Sequence, residues 1–311
     1  MLPVAGRPML ERVLAHLATF GIDDVVLSLG FLPDAFRSAY PDGMCAGVAL
    51  HYAVEDHPLD TAGAIAFAAA HAGLDQPFVV VNGDVITDLD IASLVEFHQG
   101  HAAEATIALT PVEDPSAFGV VPTDERGRVR EFIEKPPRDL APTNLINAGT
   151  YVLNPSVLEL IAPKVKVSIE REIFPALVAR QTLYAMASDA AWIDAGTPGS
   201  YRRINLSWAS RTAGGIDPSA SVAADASVTD SVIGAASCVG SGATVRGSVL
   251  LDGVTVGSGA TVVDAIVGYR VNLGPDVVVR AGAVIGDDVD VAGKTVISEG
   301  QLVEGSTLHA Q

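Results

Sequence analysis

Asp84 and Asp194 each stand where an apolar run ends, and a carboxylate delivered in that way is suited to holding a cation against phosphate. The first closes Phe78-Val79-Val80-Val81-Asn82-Gly83-Asp84. Its four apolar residues between Pro77 and Gly83 predict a strand covered on both faces, as in a parallel sheet with helices on either side. Such sheets bind ligands beyond the carboxyl ends of their strands. A turn aspartate capping the next helix accounts for Asp84 alone just as well. The second closes Trp192-Ile193-Asp194, and the following Ala195-Gly196-Thr197-Pro198 breaks the chain ahead of a helix. Two strand-end carboxylates can share one hard divalent cation, and Mg²⁺ takes one or two carboxylates together with substrate phosphates. The pair points to phosphoryl chemistry.

Positioning such groups calls for a layered domain, and residues 1–205 alternate helix-period with strand-like segments. Pro8 at a first helical position, followed by Met9, Leu10, Val13, Leu14 and Leu17, predicts an amphipathic helix. Strands are expected at 25–29, 48–54, 78–81 and 105–110, with helices near 61–73 and 90–99. Right-handed βαβ crossovers between them give a doubly wound, Rossmann-like α/β sheet. After Arg211-Thr212-Ala213-Gly214-Gly215 the period changes. Aliphatic residues fall at Ile216, Val222, Val228, Ile233, Val239, Val245, Leu250, Val256 and Val262, in steps of six, six and five. They continue at Val267, Leu273, Val279, Ile285, Val291 and Ile297, in steps of six. Three such steps make one turn of a three-sided parallel β-helix of about five coils, with the aliphatics stacked inward. One coil cannot bury its apolar face alone, so the terminal coils need covering. The expected division is a first domain over 1–205, a linker over 206–215 and a β-helix over 216–311.

A length of 311 residues with 49% hydrophobic composition is ample for the core of one large or two ordinary domains. No apolar run approaches the roughly 18 residues of a membrane span and no signal peptide opens the chain, so a cytoplasmic location is expected. The net charge of -18 is spread along the sequence, which opposes binding to nucleic acid or an anionic membrane. Cys45 and Cys238 lack metal-ligand spacing and are expected to be ordinary reduced thiols. His16, His51, His57, His71 and His98 show no clustering, and structural roles are expected for them.

Further segments lie in order between the two acids: Phe118-Gly119-Val120-Val121, Phe132-Ile133-Glu134-Lys135-Pro136, Ile146-Asn147-Ala148-Gly149-Thr150-Tyr151 and Val167-Ser168-Ile169-Glu170-Arg171-Glu172. Standing alone, Glu134-Lys135 reads as a solvated surface pair, and each glycine as a turn or packing residue. In this order, the set resembles the sugar-1-phosphate nucleotidyltransferases with a C-terminal left-handed β-helix, and most closely the mannose-1-phosphate guanylyltransferases. The resemblance implies that Asp84 and Asp194 hold Mg²⁺, that Glu134 and Asn147 bind sugar hydroxyls, and that Lys135 takes the sugar phosphate. It implies that Gly119 and Gly149 let the backbone approach the sugar. It also assigns the base to the loop Glu55-Asp56-His57-Pro58-Leu59-Asp60-Thr61-Ala62-Gly63, with Leu59, Thr61, Gly63 and Asp84 contacting the nucleotide. The implied reaction transfers a nucleotidyl group from a nucleoside triphosphate, GTP favoured, to a sugar 1-phosphate, mannose 1-phosphate favoured, releasing pyrophosphate. A homo-oligomer is implied as well.

Members of that family open with a strand, a Gly-Gly-x-Gly-Thr-Arg phosphate loop and a Pro-Lys-Pro segment, whereas Met1-Leu2-Pro3-Val4-Ala5-Gly6-Arg7-Pro8 begins just past them. The expectation is that Met1 is an internal methionine of a longer natural chain and that this form does not turn over. Asp60 replaces the Gly usual in the base loop, and Asp tolerates a left-handed backbone better than most residues. Two other readings compete: a non-catalytic homologue that binds nucleotide sugar and regulates a partner, and an acyltransferase seated on the β-helix. The latter commonly needs a histidine base, and the only histidine after residue 208 is His309.

Overall fold

The computed structural model describes residues 2–212, 215–305 and 307–308, apart from the side chains of 212, 307 and 308. Met1, Ala213, Gly214 and His309 lie outside the described residues, and with them part of the expected linker and the candidate base of an acyltransferase. Two compact units form: one spans Leu10–Trp192, and the other joins Leu2–Met9 to the chain from Ile193 onward. Among the described residues no helix is long and apolar enough to cross a membrane.

In the first unit the expected strands form at Asp24–Leu29, Val48–Val54, Phe78–Val81 and Ala105–Pro111, and the expected helices at Asp60–Ala72 and Ile91–Gly100. The main sheet is mixed. Its order is Ile133–Glu134, Gly119–Val120, Leu145–Leu153, Ala105–Pro111, Leu183–Ala187, and Phe78–Val81 also pairs with Leu145–Leu153. Only the pairing of Ala105–Pro111 with Leu183–Ala187 is parallel. A separate sheet sets Asp24–Leu29 parallel to Val48–Val54, which pairs antiparallel with Met44–Cys45. Ile107, Leu109, Tyr151, Leu153, Phe174 and Leu177 fill the main core and are essentially inaccessible.

Phe78–Val81 departs from its expected setting. It runs antiparallel to its partner, and its four residues are half-buried instead of covered on both faces. An apolar run reports burial but not strand direction, and its partner lies about seventy residues further on. Pro8 precedes its helix, which begins at Met9; it closes a hairpin of Pro3–Val4 with Arg7–Pro8. Ala5 (φ 44°) and Gly6 (φ 75°) turn that hairpin with two left-handed residues, as tight two-residue hairpins require.

Residues 206–212, expected as linker, are instead the end of a helix spanning Pro198–Thr212. The polar composition of 206–212 hides the continuation of the helix, whose buried face carries Tyr201, Ile204, Asn205 and Ala209. The Tyr201 hydroxyl donates to Pro3 O at 2.6 Å, and Asn205 Oδ1 accepts from Ala5 N at 2.9 Å. Arg202 Nη1 reaches Gly247 O at 2.6 Å and Asp264 Oδ1 at 2.9 Å, fastening the helix to the coils.

The coils are a parallel β-helix of three sheets with six, five and five strands. Val239 pairs with Val256 and Val256 with Leu273, seventeen residues apart, and Leu273 then pairs with Val291, eighteen apart. This is the expected lengthening of the period. From Ile233 onward every residue of the aliphatic series is buried. Ile216 stays 44% exposed and, among the described residues, joins the stack through a bridge to Ile233. The outward-facing Val232, Val249 and Ile266 are also buried, on the face against which Pro198–Thr212 packs. Thus a helix covers the first coils.

Candidate active site

Asp84 follows the strand Phe78–Val81 through Asn82 and Gly83, at the strand end where the sequence places it. Asn82 N donates to Gly149 O at 2.8 Å, which ties this turn to the strand Leu145–Leu153. That strand bulges between Asn147 and Tyr151, where its register against Ala105–Pro111 shifts. Gly149 makes the bulge possible: its φ is 71°, and a Cβ there would sit 2.8 Å from Asn82 Nδ2. The bulge brings Asn147 Nδ2 to 2.9 Å from the Tyr151 hydroxyl, while Asn147 Oδ1 accepts from Gly149 N at 2.9 Å.

Gly119 and Glu134 are register partners on neighbouring strands. A Cβ on Gly119 would strike the Phe132 ring and stand 3.2 Å from Glu134 Oε2, so this glycine preserves the room around the carboxylate. Lys135 Nζ lies 3.8 Å from Glu134 Oε1. Lys135 is beyond the strand, with its N–H held by Phe118 O and its backbone left-handed at φ 49°. That conformation is costly for a residue with a Cβ.

Glu170 and Tyr151 belong to this group, although the sequence assigns neither a role. Burial pushes the Glu134 carboxyl up, and the negative field of Glu170 adds to it, against the opposing charges of Lys135 and Arg171. Burial likewise pushes the Tyr151 hydroxyl up, with the fields of Glu170, Glu134 and Asp84 contributing. Through the Asn82–Gly149 bond, the pairing of Ile146 with Val120 and the packing of Phe132 and Tyr151 on Phe174, the segments carrying Asp84, Asn147, Gly149, Gly119, Glu134, Lys135 and Glu170 neighbour one another in the first unit. A signal for Glu170 was present in the sequence, since it sits inside the ordered segment Val167–Glu172.

The loop expected to take the base is anchored within the first unit at Leu59, Thr61 and Gly63. Leu59 is buried; its N–H donates to Glu55 Oε2 at 3.0 Å and its carbonyl accepts from Val167 N at 3.0 Å. Asp60 adopts φ 60°, a left-handed backbone that Asp tolerates better than most residues. Thr61 Oγ1 donates to Glu170 Oε2 at 2.8 Å and accepts from Ile169 N at 2.8 Å. Gly63 is buried, and a Cβ there would stand 2.6 Å from Val165 O, so its bareness serves close helix packing.

Asp194 ends the strand Trp192–Asp194, and Pro198 opens the next helix as expected. Its Oδ1 accepts from Gly196 N at 2.6 Å, and the residue belongs to the second unit. Among the described residues no three His, Cys, Asp or Glu side chains form a cage for a metal ion. Mg²⁺ needs no cage, because one or two carboxylates complete its shell together with phosphates and water. Asp84, a hard oxygen donor at a strand end, fits that requirement. Of the remaining candidates, Cys45 is buried and Cys238 exposed, and neither is in a disulfide. His98 is a core residue bonded to Thr106 Oγ1 at 2.9 Å and Asn154 Oδ1 at 3.1 Å.

Two family descriptions match the chain: "Nucleotidyl transferase" over residues 1–211 and "GMPPB C-terminal domain" over residues 212–310. Over 205 residues the sequence is 42% identical to the mannose-1-phosphate guanylyltransferase of Mycobacterium tuberculosis, covering 65% of this chain and 56% of that protein. It is 40% identical over 197 residues to the mannose-1-phosphate guanylyltransferase catalytic subunit beta of Dictyostelium discoideum, covering 62% and 54%. The chain spans about half the length of the curated relatives it matches. Among solved structures it is similar to HddC from Yersinia pseudotuberculosis, with a TM-score of 0.59 and 26% identity over 67% of this chain and 88% of that one. HddC has also been solved in complex with GMP-PN.

Proposed function

The chain belongs to the nucleotidyl transferase family, and from that premise we propose that it serves the transfer of a nucleotidyl group from GTP to mannose 1-phosphate, releasing pyrophosphate. One observation carries the reading. A partly buried carboxylate, Glu134, and an ammonium, Lys135, lie 3.8 Å apart beside the Asn147–Tyr151 bulge, and the field of Asp84 reaches the same tyrosine. A carboxylate and an amide bind sugar hydroxyls, and an ammonium neutralises phosphate.

In this reading a phosphate oxygen of the sugar 1-phosphate attacks the α-phosphorus of the triphosphate, and pyrophosphate leaves in line. The nucleophile is already ionised, so no general base is required and no covalent enzyme intermediate forms. Lys135 restrains the phosphate, Glu134 and Asn147 orient the sugar, Gly119 and Gly149 keep its space open, and the loop holding Leu59, Thr61 and Gly63 takes the base. Catalysis is then mainly positioning and charge neutralisation. Asp84, and Asp194 as the resemblance implies, would hold Mg²⁺, which when bound supplies charge neutralisation at the phosphates. The names of the relatives and the GMP-PN complex of HddC support the guanine base and mannose. We further propose a cytoplasmic homo-oligomer, with the flat stacked faces of the β-helix suited to assembly.

The test is pyrophosphate release from each nucleoside triphosphate with mannose 1-phosphate or glucose 1-phosphate, with and without Mg²⁺. It is run on the 311-residue chain and on one extended by the Gly-rich phosphate loop. Turnover is expected to be greatest with GTP and mannose 1-phosphate and to depend on Mg²⁺. Nucleotide-sugar binding with no turnover by either form favours a regulatory homologue instead.

A further inference from the structure

We infer that Glu170 is a second sugar-recognition carboxylate beside Glu134, and that Thr61 and Ser168 are positioning residues that aim it. The inference rests on the function proposed above and assigns to that site a residue that selects against sugars carrying their own negative charge.

One oxygen of Glu170 is fully engaged by protein. Its Oε2 accepts from Thr61 Oγ1 at 2.8 Å and from Ser168 Oγ at 2.9 Å. Thr61 is itself fixed from behind by the Ile169 N–H at 2.8 Å. The peptide groups of Ala62 and Gly63 both donate to Val167 O, so the start of the helix Asp60–Ala72 and the turn at 167–170 form one hydrogen-bonded piece. The other oxygen, Oε1, has no hydrogen-bond donor among the described residues, and the side chain is only half-buried. With Oε2 clamped the carboxylate is held in one orientation, and Oε1 is left available to a ligand.

The company it keeps indicates the ligand. Phe132 and Tyr151 pack against Phe174 at 5.2 and 5.3 Å, which sets the turn carrying Glu170 beside the strand end carrying Glu134, and the like charge of Glu170 helps to push the Glu134 carboxyl up. Such a pair is unfavourable unless donors lie between its members. Lys135 and Arg171 offset part of the charge on Glu134. Sugar hydroxyls supply uncharged donors, and each carboxylate can accept from two of them. A sugar bearing its own carboxylate meets repulsion from both acids. Thr61, assigned to the nucleotide by its sequence context, spends its hydroxyl on Glu170 and thereby ties the base loop to the sugar side.

The experiment is isothermal titration of the full 311-residue chain with mannose 1-phosphate, and with glucose 1-phosphate against glucuronic acid 1-phosphate, each variant being checked by its melting curve. The unaltered chain is expected to bind mannose 1-phosphate and to prefer glucose 1-phosphate over the uronate at least about tenfold. Glu170→Gln is expected to weaken mannose 1-phosphate by about tenfold to a hundredfold and to narrow the uronate discrimination. Thr61→Val should produce the same loss and Thr61→Ser should restore binding, a rescue that simple packing would not give. Unchanged affinity and unchanged discrimination in Glu170→Gln overturns the inference, as does Thr61→Ser behaving like Thr61→Val. If the unaltered chain binds none of these sugar phosphates, the proposed function itself falls, and this inference with it.

Discussion

In the β-helix a residue meets its structural neighbour about one coil later, as when Ser248 N donates to Ser231 Oγ, seventeen residues back. In the first unit, the bond that aims Glu170 spans 109 residues, to Thr61. The solenoid repeats one local solution, and each coil is stable only because the next presents the same face. The candidate site is instead assembled once, from a strand-end turn, a bulge, a two-residue strand and a helix start. Substitutions in the coils should therefore register as lost stability, and substitutions in the site as lost chemistry at nearly constant stability.

The largest effect should come from Leu250→Ala, at a fully buried position of the solenoid stack. Cavity formation there is expected to cost about 2–5 kcal/mol in chemical unfolding of the β-helix. A broad, multi-step transition in place of a cooperative loss would break the picture of coils that stand together. Next, Lys135→Ala and Asp84→Asn should each lower turnover of the extended chain by about 10²–10³ while the melting temperature stays within a few degrees. Comparable losses of stability in these variants would erase the contrast between the regions.

Corner residues sharpen it further. Left-handed backbone recurs at Asp230, Ala236, Gly242, Gly247, Gly253, Gly259, Asp264, Arg270 and Asp276, then every sixth residue through Gly282, Asp288, Lys294 and Gly300. The spacing is the same six, six, five and then six as that of the aliphatic rows. Gly259→Ala meets both the φ of +67° and Asp276 Oδ1 at 2.5 Å, and is expected to cost about 1–2 kcal/mol. Lys294→Gly, at φ 65°, relieves the left-handed penalty and should gain up to about 1 kcal/mol by the same measurement.

The same contrast explains what could be read in advance. The solenoid rows were legible because each inward valine has its neighbour at a fixed offset, so counting along the chain amounts to counting through space. Asp84, Glu134 and Asn147 were legible as an ordered set, one residue at a time. Glu170 lies within such a segment, but its bond to Thr61 joins residues that no local pattern links. Phe78–Val81 announced a strand but not its antiparallel partner. The helix over 206–212 was hidden because Ser207, Ser210 and Arg211 read as linker, while what secures it, Arg202 on Gly247 and Tyr201 on Pro3, is remote in sequence.

A smaller effect is expected inside the site strand. Thr150 is inaccessible and its Oγ1 has no hydrogen-bond partner among the described residues. Thr150→Val keeps the shape and removes a desolvated hydroxyl, so stability should rise by about 1 kcal/mol. A fall would mean that the hydroxyl has a bonding role.

The smallest effect is a pH dependence confined to the first unit. Burial pushes the His98 imidazole below its ordinary value, although the bond to Asn154 acts in the other direction. In the unfolded chain this histidine takes up a proton near pH 6.5, whereas the folded protein holds it neutral to lower pH. Between those two values the unfolded state binds more protons, so stability increases with pH through that window. The contribution is complete above about pH 6.5 and is lost as the pH falls through the window toward the folded value. Melting curves at pH 7.5 and 5.5 should therefore differ more for the unaltered protein than for His98→Gln, which cannot titrate. Because His98 belongs to the first unit, the β-helix transition in the same curves should not share the difference. An equal shift in both transitions would show that acid acts on the chain's other titratable groups and not through this buried ring.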